Sequence, residues 1–169
     1  MDAKPLAIIV IGVAGSGKTT VARALTRHHG YAFLDADDFH AADAKAQMQA
    51  GVPLTDAQRA PWVATLAHEL RRHARQGESS VLAFSGLRAV HRQALRESGV
   101  PMRFVFLHAP RDVIAARLAR RDDHFMPTEL LADQFDILQL PSAEPDVLFV
   151  DVGTSQAQVL ERVLAALGD

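Results

Sequence analysis

The sequence predicts a doubly wound α/β fold, a three-layer α/β/α sandwich around a five-stranded parallel sheet, and three observations carry that prediction. Five short runs, at 7–12, 32–35, 81–85, 103–108 and 147–151, are rich in Val, Ile and Phe and largely apolar throughout. Strands covered on both faces read this way, whereas a strand with one wet face alternates. Helical patterns separate the runs, as in a parallel sheet whose strands are joined by crossover helices. A glycine-rich turn stands at the first strand–helix junction, where open sheets of this class bind ligands.

Taken in order, the first strand runs into Gly12-Val13-Ala14-Gly15-Ser16-Gly17-Lys18-Thr19, and a helix follows over 18–29. After the second strand, Thr55 and Gln58 form a capping-box pattern at the head of a helix with an apolar stripe of Trp62, Val63, Leu66 and Leu70, closed by Gly77. Trp62 reads as core. After the fourth strand, Pro110 suits the first turn of a helix carrying Val113, Ile114 and Leu118. Ser155 and Gln158 repeat the capping box for a last helix through Val159, Val163 and Leu167 to Gly168.

At 169 residues, with neither repeat nor low-complexity linker, the chain reads as one domain over 1–169. A net charge of −2 provides no basic field for nucleic acid. The absence of cysteine excludes disulfides and thiolate metal sites and suits a reducing cytoplasm. The apolar run 6–11 is too short to span a membrane.

The glycine loop matches the P-loop pattern at every fixed position, placing the fold among P-loop NTPases. Gly12, Gly15 and Gly17 let the backbone turn, and the amides of Val13, Ala14 and Ser16 join theirs in an anion nest at a helix N-terminus. Lys18 brings a mobile positive charge to the β- and γ-phosphates of ATP; the Thr19 hydroxyl ligates Mg²⁺, with Thr20 beside it. A GTPase reads guanine through an Asn-Lys-x-Asp motif, which a chain without asparagine cannot contain. Motor ATPases carry acids at the end of a core strand, but the third strand here ends Ala83-Phe84-Ser85-Gly86. The acids instead end the second strand, as Asp35-Ala36-Asp37-Asp38. That is where P-loop small-molecule kinases bring carboxylates to metal and acceptor. Asp35 is the expected metal ligand and Asp37 the general base or hydroxyl positioner. The plainer alternative makes Asp37 or Asp38 a helix cap. Arg117 and Arg121, one helical turn apart, open a lid over 117–134 that closes on the phosphates, Arg117 toward the nucleotide and Arg121 toward the transferring group.

The chain resembles the gluconate kinases of the P-loop type, relatives in fold of shikimate and adenylate kinases. The resemblance rests on the P-loop, on Phe33 to His40, Met48 to Asp56, Arg59 to Trp62, Ser85 to Arg88 with Arg92, His124 to Pro127, and Leu130 to Phe135 with Leu138. It implies transfer from ATP, with Mg²⁺, to a small sugar acid, D-gluconate giving 6-phospho-D-gluconate, and a homodimer. It makes Asp37 and His40 acceptor contacts and Arg59 a partner for the acid's carboxylate. Ser85, Gly86 and Arg88 line the same pocket, and His124 and Gln134 join the lid. Where the family usually has Gly, Asn, Lys and Lys, this chain has Ala36, Ala44, Gln47 and Arg88. Two other readings stay open: the same chemistry on another polyol or hydroxy acid, and a nucleotide-binding module without transfer activity.

Overall fold

The computed structural model describes residues 4–120 and 128–168. Its five parallel strands are β1 (Ala7–Ile11), β2 (Ala32–Asp35), β3 (Ser80–Ala83), β4 (Met102–His108) and β5 (Val147–Asp151), in the order β2-β3-β1-β4-β5. All five expected strands are present, with ends moved by one or two residues. The order reverses at β1: the chain leaves it for β2 and β3 on one side, then crosses to β4 and β5 on the other. The crevice at the strands' C-terminal ends opens at such a reversal.

Side-chain alternation along β1 explains its unbroken apolar run. Ile8 and Val10 enter one core with Val21, Leu25, Ile114 and Val163, while Ala7, Ile9 and Ile11 enter another with Val63, Leu66 and Leu70. The two cores are the two faces of one sheet. The first is covered by α1 (Lys18–His29), α5 (Arg111–Ala119) and α7 (Gln156–Leu167), the second by α3 (Asp56–Arg75) and α4 (Ala89–Arg96). Both capping boxes form, at Thr55/Gln58 and Ser155/Gln158. Pro110 stands one residue earlier than expected, as the N-cap of α5.

Three helices carry no sequence prediction of their own: α2 (Ala42–Gln49), α4 and α6 (Thr128–Ile137). The first buries no residue, so it shows no stripe. The second is eight residues long and turns His91 and Arg92 inward with Leu95, a pattern that hydrophobic periodicity cannot register.

Candidate active site

The P-loop follows β1 directly and its shape is enforced by packing. A Cβ on Gly12 would stand 2.7 Å from Ser16 Oγ and 2.8 Å from the Leu107 carbonyl oxygen. Gly15, at φ +80°, would bring one within 2.8 Å of Leu118. Gly17, in the left-handed region at φ +96°, starts α1, whose first amides have no intrahelical acceptor. Lys18 Nζ curls over the loop and donates to the carbonyls of Gly12 and Val13, both at 3.0 Å. The Val13 side chain lies in the core. Ser16 Oγ is buried with no hydrogen-bond partner among the described residues.

A cleft of ≈ 1280 Å³ extends from this loop across the ends of β2 and β3, lined on the phosphate side by Ala14, Gly15, Gly17, Lys18, Thr19 and Thr20. The same cleft is lined by Asp35, Asp37 and Asp38. The chain does not stay extended beyond β2; residues 36–39 form a 3-10 turn, and all three acids line the cleft. The cap of that turn is Asp35, whose Oδ1 accepts the Asp37 N–H at 3.0 Å. Neither Asp37 nor Asp38 serves as the cap, so the plainer alternative fails. Burial pushes the Asp35 carboxyl above its ordinary value and the charges of Asp37 and Asp38 add to the shift; the Asp37 N–H and Lys18 oppose it.

Asp37 itself is open, its side chain 84% exposed, and His40 Nε2 stands 3.8 Å from its carboxylate. The His40 ring stacks on Trp62 at a centroid distance of 3.9 Å, and Trp62 Nε1 donates to the Ala36 carbonyl at 2.7 Å. Trp62 is core, as expected, but it is also the platform for His40 and a wall of the cleft. Burial holds the imidazole below its ordinary pKa, with Asp37 pulling the other way. His40 is therefore neutral at neutral pH.

Arg59 and Ser85 also line the cleft. Arg59 Nη1 is 3.2 Å from Asp56 Oδ1, and Arg88 Nη2 is 3.3 Å from Asp56 Oδ2. Two guanidiniums thus share one carboxylate, leaving net positive charge around Arg59 in the cleft wall. Arg88 and Gly86 lie behind the cleft wall instead of on it. Gly86 is buried at φ +57°, where a Cβ would stand 2.6 Å from Ile11, and its carbonyl accepts from Arg92 Nη1 at 2.7 Å.

A family model described as "AAA domain" matches residues 8–141. A gluconokinase from Gluconobacter oxydans is 38% identical over 164 residues, 97% of this chain and 92% of that protein. A gluconokinase from Sinorhizobium meliloti 1021 superposes with a TM-score of 0.88 at 36% identity, covering 98% of this chain and 93% of that one. A sugar kinase from Janibacter sp. HTCC2649 superposes at 0.90 and 36%, covering 96% and 94%. The chain belongs to the gluconokinase family.

Within this family frame several expected site residues move. Arg117 does not face the cleft; its Nη2 donates to the carbonyls of Val152 and Thr154, the latter at 3.2 Å, on the segment between β5 and α7. Gln134 reaches the P-loop rather than the acceptor end, its Oε1 accepting the Ala14 N–H at 2.8 Å. Arg121 and His124 lie outside the described residues. Ala44 and Gln47, where the chain departs from the usual gluconokinase residues, do not line the cleft. Gln47 instead clasps Gln58 and the Pro53 carbonyl. Sequence reasoning missed Asp56, hidden inside a capping-box pattern, and Arg23 and Lys45, which line the cleft without belonging to a motif. The Asp56 pairing had one available signal, the spacing of three to Arg59 on a helix.

Among the described residues no cluster of three or more His, Asp or Glu could hold a metal by itself. A hydroxyl and a carboxylate lining one cleft are the oxygen donor set of an ion that completes its shell with phosphate and water, and Thr19 with Asp35 fits Mg²⁺ on that ground.

Proposed function

We propose that the protein transfers the γ-phosphoryl group of ATP to the 6-hydroxyl of D-gluconate. The observation that carries the reading is one cleft lined by a P-loop, an open carboxylate and a desolvated arginine. Lys18 and the amides at the head of α1 hold the phosphates. Arg59, whose guanidinium keeps a free edge beyond Asp56, takes the carboxylate of the acid. Asp37 accepts the proton of the acceptor hydroxyl as its oxygen attacks phosphorus and the bond to the β–γ bridging oxygen breaks, leaving ADP. His40, neutral and stacked on Trp62, orients that carboxylate and offers the acceptor a second hydrogen bond. Thr19 and Asp35 would hold Mg²⁺, which supplies charge neutralisation on the phosphates.

ADP release with a panel of sugar acids tests the reading, and gluconate is expected to give the highest kcat/KM. Asp37→Asn is isosteric and should lower kcat about 10²–10⁴-fold with little change in ATP affinity. Turnover of another acid in preference to gluconate would move the substrate assignment, and an unchanged kcat in Asp37→Asn would remove its role as base.

A further inference from the structure

We propose that Gln139, a residue outside the cleft, positions the acceptor loop and makes it follow helix α6, so that the phosphate cradle and the acceptor loop sense each other. Gln139 grips the 86–92 segment with three of its groups. Its backbone N–H donates to the Leu87 carbonyl at 2.8 Å. Its side-chain Oε1 accepts the Ala89 N–H at 2.7 Å. Its own carbonyl accepts Arg92 Nη2 at 3.0 Å, and the same arginine holds the Gly86 carbonyl. The loop that carries Ser85 into the cleft is thereby attached to the segment leaving α6.

The other end of the attachment is the P-loop. Gln134, five residues earlier, accepts the Ala14 N–H, and the Leu138 N–H closes onto the Gln134 carbonyl at 3.1 Å. Residues 134–139, the last turn of α6 and the two residues after it, therefore form one hydrogen-bonded span from phosphate cradle to acceptor loop. Leu138, the residue before Gln139, packs against the cores on both faces of the sheet. The Ser85 carbonyl adds a direct tie by accepting the Gly12 N–H at 3.1 Å. A nucleotide that shifts the P-loop against Gln134 must move this span, and the acceptor loop moves with it. A loop held in one place before the acceptor arrives also spares the acceptor the entropy of ordering it.

The inference rests on gluconate being the acceptor, and its experiment separates the two. The side-chain contact uses only an acceptor oxygen, so Gln139→Glu retains it and Gln139→Leu removes it. Ala89→Pro removes the partner N–H from the other side. Position 89 opens α4, where proline is tolerated, and Arg88 before it is extended at φ −100° and ψ 136°. Gln139→Leu and Ala89→Pro are each expected to raise the gluconate KM about 3- to 10-fold with the ATP KM within about twofold. The double variant should be no worse than the poorer single, because both delete one bond. Gln139→Glu should behave as the parent protein does. A gluconate KM unmoved in Gln139→Leu, or a Glu variant as poor as the Leu variant, overturns the positioning role. Hydrogen exchange over residues 85–92, with and without a non-hydrolysable ATP analogue, needs no gluconate at all. The analogue should slow exchange there in the parent protein and not in Gln139→Leu, and an unaltered parent segment overturns the coupling. A parent protein inert toward gluconate would instead dismiss the substrate assignment and leave the exchange result to decide this one.

Discussion

Asp35 has two duties that oppose each other. It caps the turn that presents Asp37, and in the proposed mechanism it would hold the metal, yet burial makes its charge unfavourable. A carboxyl whose folded pKa is raised binds its proton more readily in the folded chain than in the unfolded one. Ionised Asp35 therefore destabilises the fold above that raised pKa, and the penalty fades as pH falls through it toward the ordinary value of 3.8. Asparagine keeps the oxygen that accepts the Asp37 N–H and drops the charge. Asp35→Asn is expected to raise Tm by about 1–3 °C in nucleotide-free protein while lowering kcat/KM at least about tenfold. Thermal scans and an ADP assay check both halves; a Tm that falls would show the charge to be compensated. The P-loop was legible residue by residue because backbone shape dictates its glycines and phosphate its lysine. The cap at Asp35 was not, because extrapolating β2 as an extended strand hides the 3-10 turn that gathers three acids onto one wall.

Helix α4 is held from inside by charge. Arg92 is fully buried, and its guanidinium reaches both Glu144 oxygens and the carbonyls of Gly86 and Gln139. Glu144 also pairs with Arg96, which reaches on to Asp146. Arg92 beside it holds the Glu144 carboxyl below the usual carboxylate range. Removing one partner of such a buried pair strands the others. Arg92→Met, similar in length, should destabilise by about 3–5 kcal/mol, lowering Tm by roughly 6–20 °C. Denaturant melts at neutral pH check it; a loss below about 1 kcal/mol would mean that solvent reaches Glu144 and replaces the arginine. Legibility at this scale depended on where polar residues point. The helices with apolar stripes, α3 and α7, announced themselves together with their caps. The stripe of α4 is completed by a buried histidine and by an arginine whose carboxylate partner, Glu144, lies 52 residues away, so nothing local marks it. Gln47 carries the same lesson: its departure from the family's usual lysine looked like a change in the pocket, and it is a clasp between α2 and α3.

Across the whole molecule the chain order was readable, since alternating apolar strands and helices around a P-loop leave few topologies, but the distances across the cleft depend on loops that no pattern specifies. Two partly desolvated histidines, one in the cleft and one on α4, also set a response to acid. Burial holds His40 and His91 below their ordinary value of 6.5. The unfolded chain then takes up protons that the folded one refuses, so stability falls as pH drops through 6.5 toward the lowered values. Urea midpoints should decline from pH 7 to pH 5, and the His40→Phe/His91→Phe double variant, which keeps a ring on Trp62, should show a shallower decline; an equal slope would assign the loss to other groups. The three crowded glycines carry a different implication. Any base change in a glycine codon that alters the residue adds at least a methyl group, and at positions 12, 15 and 86 that methyl meets Ser16, Leu118 or Ile11 inside 3 Å. At Gly77 and Gly99 it meets nothing within 4 Å. Alanine at 12, 15 or 86 must therefore displace a packed neighbour of the phosphate cradle or of the loop after β3, whereas at 77 and 99 only the left-handed backbone, at φ +76° and +83°, resists it.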